Sequence, residues 1–202
     1  DILEEQGDEI FRDADSIALE IDMDKEIVKR VFAFAEKYHK PVFAVVSNMS
    51  IAVERRDFLR SCACFVCNQQ EAGILFSEDY EGKTPAELET VLSHHVQAAA
   101  LPGIVVTMGE QGAVYATLDG ERGWCPAKRV DVKDTTGAGD AFFAGVTMGL
   151  TYGKTLAESC TIGARLAASV ICTSENVCPR FLPSEFGLKA PDSDDGQLAL
   201  EL

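Results

Sequence analysis

The chain has 202 residues, 47% of them hydrophobic, and 18 basic against 33 acidic side chains give it a formal net charge of −15. That length and apolar content suit one α/β domain with a real core. The acidic balance works against nucleic-acid backbones and anionic lipid as partners, and no apolar run approaches the roughly 18 residues a membrane span needs.

The opening DILEEQGDE has neither the basic start nor the apolar run of a secretory segment, so a cytoplasmic protein is expected. Residues 15–21 (DSIALEI) form a short apolar run suited to a buried strand. Asp24 is placed to cap a helix through KEIVKRVFAFAEKYHK, in which Ile27, Val28, Val31, Phe32, Phe34 and Ala35 recur at helical spacing. Pro41 is expected to end it, and residues 42–46 (VFAVV) read as the next strand. A helix near 53–60 leads to a third buried strand, 63–67 (ACFVC). Thr84 and Pro85 open a helix through Ala100, with Glu87 as capping-box partner, and 103–107 (GIVVT) is a fourth strand. Alternating strands and helices imply right-handed crossovers and a mostly parallel sheet covered on both faces. The texture then changes. Residues 113–118, the turn at Asp119-Gly120 and residues 123–127 read as an antiparallel hairpin, followed by helices near 139–150 and 156–171. After Pro183 the chain is acidic and polar (PDSDDGQ), as a frayed tail would be.

Seven cysteines, at 62, 64, 67, 125, 160, 172 and 178, are odd in number and mostly in apolar surroundings, which points to reduced thiols. Cys62, Cys64 and Cys67 have no second pair at zinc spacing, so buried free thiols are expected there. His94-His95, on the predicted helix with no acidic or cysteine partner nearby in sequence, reads as a surface or packed pair.

The most informative stretch is Asp134-Thr135-Thr136-Gly137-Ala138-Gly139-Asp140, leading into the apolar AFFAGVTMGL. Small residues permit a tight turn, and the backbone N–H groups of Gly137, Ala138 and Gly139 are expected to be free at the helix start. Such a terminus attracts phosphate through unsatisfied donors and the helix dipole. A carboxylate aimed into a phosphate pocket is repelled, so Asp140 needs a job there, and accepting a proton from an attacking hydroxyl is one. The plainer alternative is that Asp134 and Asp140 cap a glycine-rich helix. Neither the P-loop nor the dinucleotide fingerprint occurs.

Residues 134–140 with the following A-F-F-A-G resemble the signature D-[TS]-x-G-A-G-D of the ribokinase-like (PfkB-type) kinases, and the resemblance runs over about residues 13–187. It implies a ribokinase-like α/β fold, with residues 1–187 as the C-terminal catalytic and nucleotide-binding part and 188–202 as an acidic tail. By the same resemblance Asp140 is the catalytic base, and the amides of Gly137, Ala138 and Gly139 form the anion hole. Asp134 and Thr136 match positions that help bind a monovalent cation, K⁺, in members that use one.

Two further motifs stand in family order. Asn68-Gln69-Gln70-Glu71 follows the strand ACFVC and matches N-x-x-E, which in the family organises Mg²⁺ and phosphates largely through water. An octahedral oxygen-liganded ion that keeps its waters suits one glutamate and one amide. A polar helix start capped by Asn68 is the plainer reading. Thr107, Gly109 and Gly112 match T-x-G-x-x-G beside the nucleotide, where glycine lets backbone approach a ligand. An ordinary strand-to-hairpin turn is the alternative.

Residues 173–183 match the family segment near adenine and the cation. Asn176-Val177 stands where many members have Gly-Ala, which leaves the cation requirement open. With GWCPA at 123–127, this brings the chain closer to the pseudouridine-kinase-like and nucleoside-kinase-like branch than to ribokinase itself. The family's N-terminal third, with its first strands, lid and most acceptor contacts, has no counterpart here. Because the lid is also the usual dimerisation element, a homodimer is an expectation for the complete protein only. The resemblance implies ATP-dependent phosphoryl transfer to a hydroxymethyl group of a sugar or nucleoside. A non-catalytic nucleotide-binding or regulatory module of the same fold is the second reading. Intact Asp140 argues against it and the missing third for it.

Overall fold

The computed structural model describes residues 2–48, 53–54, 56–173, 178 and 181–188. Its strands are β1 (Ile17–Glu20), β2 (Val42–Val45), β3 (Cys64–Asn68), β4 (Gly103–Thr107), β5 (Ala113–Thr117) and β6 (Arg122–Cys125). They form one six-stranded sheet in the order β1-β2-β3-β4-β5-β6. The first four strands are parallel, and β4–β5 and β5–β6 are antiparallel. The expected parallel sheet ending in a hairpin is therefore present.

The helices are α1 (Ile2–Glu5), α2 (Gly7–Asp13), α3 (Lys25–Lys37), α4 (Arg56–Ser61), α5 (Gln69–Phe76), α6 (Pro85–Ala99), α7 (Ala138–Thr151) and α8 (Leu156–Ile171). Side chains alternate across each strand, so the sheet is apolar on both faces. Phe65 and Cys67 pack with Val28, Leu59, Leu75 and Leu92 from α3–α6. Cys64, Val66 and Val105 pack with Phe142 and Val146 of α7 and Cys160 of α8. Cys64 and Cys67 thus point to opposite faces and cannot converge on one ion. Among the described residues no group of three or more Cys, His, Asp or Glu side chains could hold a metal. No helix among them is long and apolar enough to cross a membrane.

Asp24 caps α3 as expected, its carboxylate accepting from the N–H groups of Glu26 and Ile27. The helix stops at Lys37, short of the predicted end at residue 40. The cause is His39 at φ 53°, with the Lys40 N–H returning 2.8 Å to the Ala35 carbonyl. This turn reverses the chain before Pro41 is reached. Thr84 with Glu87 and Thr155 with Glu158 form capping boxes at α6 and α8.

Two elements precede anything read from the sequence. The short α2 is held by Phe11, stacked 5.0 Å from Phe34, and by Asp8, which accepts from Tyr38 at 2.6 Å and pairs with Lys37, while in α1 Glu4 lies 3.5 Å from Arg30. At the other end a 3-10 turn, Pro183–Phe186, follows, and Leu188 is 2% exposed, packed against Ile162 and Leu166. Packing against α8 therefore continues past Pro183, where the sequence reads as a frayed tail.

α7 and α8 pack unusually closely. A Cβ on Gly145 would lie 2.6 Å from the Gly163 Cα, and one on Gly163 would lie 2.7 Å from the Phe142 carbonyl oxygen. At the far end of α7, Thr151 Oγ1 meets Ser16 Oγ at 2.7 Å. Ser16 lies just before β1, so the C-terminus of α7 sits at the amino ends of the parallel strands. Its N-terminus, with residues 137–140, points towards their carboxyl ends.

Candidate active site

The carboxyl end of an open α/β sheet is where ligands bind, and two sets of predicted residues lie towards that end, although none of residues 134–140 lines the cleft formed by the second. The first is the start of α7. Gly137 is its N-cap at φ 78°, in a region that disfavours a side chain. Asp134 caps nothing. Its Oδ1 accepts from the Thr136 N–H at 2.9 Å and the Thr136 hydroxyl at 2.8 Å, closing a tight turn ahead of the helix. Those two bonds, backbone first, hold the exposed Asp134 carboxyl below its ordinary range. The Lys133 N–H, at 2.9 Å from the Ile171 carbonyl, fastens this turn to the end of α8.

One expectation is corrected here. The Ala138 N–H is not free, because it donates to the Thr135 carbonyl at 3.2 Å. Among the described residues, the unspent donors at this terminus are the N–H groups of Gly137, Gly139 and Asp140 itself. Asp140 is exposed in the first turn and makes no capping hydrogen bond, so neither aspartate is the helix cap of the plainer reading. A Cβ placed on Gly139 would meet nothing within 4 Å, which leaves open space beside these donors.

The second set lies across the ends of β3 and β4, where Asn68 is paired in register with Thr107. A cleft of about 920 Å³ opens there, lined by Asn68, Gln69 and Gly73 on one side, Thr107 and Gly109 on another, and the segment 77–81 on a third. Gly109 has φ 57° and open space at its Cβ position, as backbone facing a ligand would. Gly112 is different. At φ 97° its Cβ would lie 2.1 Å from the Cys125 carbonyl and 2.7 Å from the Ala127 nitrogen. Glycine is required there by the protein's own chain after β6, which corrects the expectation of a ligand approach at that position.

Asn68 and Glu71 do what the plainer reading describes. The Asn68 side chain accepts from the Glu71 N–H at 2.8 Å, and Glu71 Oε2 accepts from the Asn68 N–H at 2.6 Å, a complete capping box at α5. Burial pushes the Glu71 carboxyl up, the Asn68 N–H pulls it down, and the charge of Asp22, just past β1, adds to the rise. Asp22 and Glu71 are both partly buried, and a like charge within electrostatic reach disfavours ionisation of either. Asp22 went unmarked in the sequence, as did the wall at 77–81, because nothing local ties either to N-x-x-E. Asn176 lies outside the described residues.

Residues 5–179 match the model of the pfkB family carbohydrate kinases. The chain belongs to that family. Among its relatives, the guanosine-inosine kinase of Exiguobacterium acetylicum is 34% identical over 163 residues, spanning 80% of this chain and 53% of that protein. The pseudouridine kinase of Escherichia coli K12 is 30% identical over 119 residues, 59% of this chain and 37% of that protein. A probable sugar kinase from Rhizobium etli superposes with a TM-score of 0.75 at 26% identity, covering 90% of this chain and 57% of its own. Arabidopsis thaliana ribokinase, complexed with ribose and ATP, superposes at 0.74 and 22% identity over 85% of this chain and 54% of its own, a likeness of fold. The chain spans about half the length of the relatives it matches.

Proposed function

We propose that these residues form the nucleotide side and catalytic base of an ATP-dependent kinase that phosphorylates a hydroxymethyl group of a sugar or nucleoside. The observation that carries it is the start of α7, where unspent N–H groups and an unbonded carboxylate share one open space. A substrate hydroxyl placed there gives its proton to Asp140 as its oxygen bonds to the γ-phosphorus and the bond to the β-phosphate oxygen breaks. The amides of Gly137, Gly139 and Asp140 stabilise the negative charge on the transferring group. Asn68, Thr107 and Gly109 hold the nucleotide across the ends of β3 and β4. Glu71 is the carboxylate that would hold Mg²⁺ through water, and the ion would supply charge neutralisation to the phosphates. Asp134 and Thr136 already satisfy one another, so their part in a K⁺ site would use the remaining oxygens. The relatives that act on nucleosides favour a nucleoside acceptor.

Amide exchange of this chain with and without Mg·ADP tests the reading. Protection is expected at residues 107–110 and 135–140. No protection at millimolar nucleotide would refute it.

A further inference from the structure

On the reading proposed above, the cleft and the start of α7 must hold a polyanion on a chain of net charge −15. Among the described residues no lysine, arginine or histidine lines the cleft. Cations stand instead in the loop between the two. Strand β6 is antiparallel to β5, and β5 to β4, so β6 ends at the same carboxyl edge as β4. From there residues 126–136 lead to the start of α7, and they carry Lys128, Arg129 and Lys133. The loop is fixed at both ends. At its start the Cys125 carbonyl and the Ala127 nitrogen crowd the backbone of Gly112, just past the cleft residue Gly109. Near its end the Lys133 N–H donates to the Ile171 carbonyl at 2.9 Å. All three basic residues are exposed, and none makes an ion pair or a side-chain hydrogen bond to another described residue. Burial pushes the Cys125 thiol up, while the Thr161 hydrogen bond and the Lys128 charge pull it down, so the Lys128 ammonium is within electrostatic reach of the Gly112 turn. Two carboxylates share the loop, Asp134, which is bonded to Thr136, and the exposed Asp131, and the balance stays positive.

We propose that Lys128, Arg129 and Lys133 draw the nucleotide phosphates to the span between the cleft and α7, supplying the positive charge that the cleft lining lacks. This rests on that span's being the nucleotide site. In water at low salt, a unit charge about 10 Å from a unit of ligand charge changes Kd about twofold. Neutralising all three should therefore weaken Mg·ADP about five- to tenfold, and Mg·ATP, which carries one more negative charge, by more.

The test measures the Kd of Mg·ADP and Mg·ATP by calorimetry, at low and high salt, for wild type and for Lys128→Gln, Arg129→Gln and Lys133→Gln combined in one chain. The control combines Lys40→Gln and Lys154→Gln, which remove charge before β2 and after α7, at the opposite edge of the sheet. The expected result is weaker binding in the loop variant, a larger loss for Mg·ATP than for Mg·ADP, a gap that closes at high salt, and little change in the control. An unchanged Kd in the loop variant overturns the proposal and leaves the nucleotide site standing. So does a loss indifferent to salt and ligand charge, or one matched per charge by the control. A wild-type chain that binds no Mg·ADP overturns both.

Discussion

The seam between α7 and α8 holds the start of α7 in place, and it can be perturbed with one methyl group. In Gly145→Ala the new Cβ would lie 2.6 Å from the Gly163 Cα and 2.7 Å from its nitrogen. Both are backbone atoms, so no rotamer change relieves the clash and the helices must separate. Overpacking of this kind costs about 1–3 kcal/mol, and backbone contact places it in the upper half of that range. Alanine's better helix propensity returns up to about 1 kcal/mol. The net loss is about 1–2 kcal/mol, which for a chain of this size lowers Tm by about 3–6 °C. Gly139→Ala is the control on the same helix, since its Cβ enters open space at an ordinary helical φ, and helix propensity alone should leave Tm unchanged or raise it by up to about 3 °C. Thermal melts of both variants by circular dichroism decide the matter. A Gly145→Ala chain that melts with wild type, or a Gly139→Ala chain that falls as far as Gly145→Ala, would refute the packing argument.

Burial pushes the thiols of Cys62 and Cys64 up to about 12, and that of Cys67 up as well. Native protein at pH 8 should therefore show all three unreactive towards a thiol reagent and contain no stoichiometric zinc, and labelling of Cys64 before unfolding would contradict this. The Thr155 N–H and hydroxyl hold the Glu158 carboxyl below its usual range. A depressed carboxyl contributes stability above its unfolded pKa and loses it as pH falls through the folded one. Wild type should thus melt above Glu158→Gln near neutrality, with the gap closing in acid, and a gap independent of pH would count against the capping box.

What was legible depended on whether the signal was local. Strands appeared as short apolar runs between turn residues, and Thr84-Pro85 with Glu87 announces α6 because a cap and its partner lie within one turn. The α7 signature was equally local. Gly112 was misread because the atoms that require it, after Cys125, come from a strand that pairs only in the fold. The Ala138 amide was counted free because sequence does not show which carbonyl a turn brings back to it. α2 escaped notice because Phe11 finds its place only against Phe34. His95 looked partnerless because Glu78, whose carboxylate lies 3.1 Å from its Nε2, is far away in sequence and beyond the reach of a local reading.

The central claim is that Asp140 is a base and not a helix cap, and Asp140→Asn tests it most directly in a polypeptide of the relatives' full length carrying these residues. General-base catalysis is worth about 10²- to 10⁴-fold, so kcat should fall by at least that range. Nucleotide Kd should stay the same or tighten, because a negative charge beside the γ-phosphate is gone. A fully active Asp140→Asn enzyme would contradict the account and return this residue to the helix start.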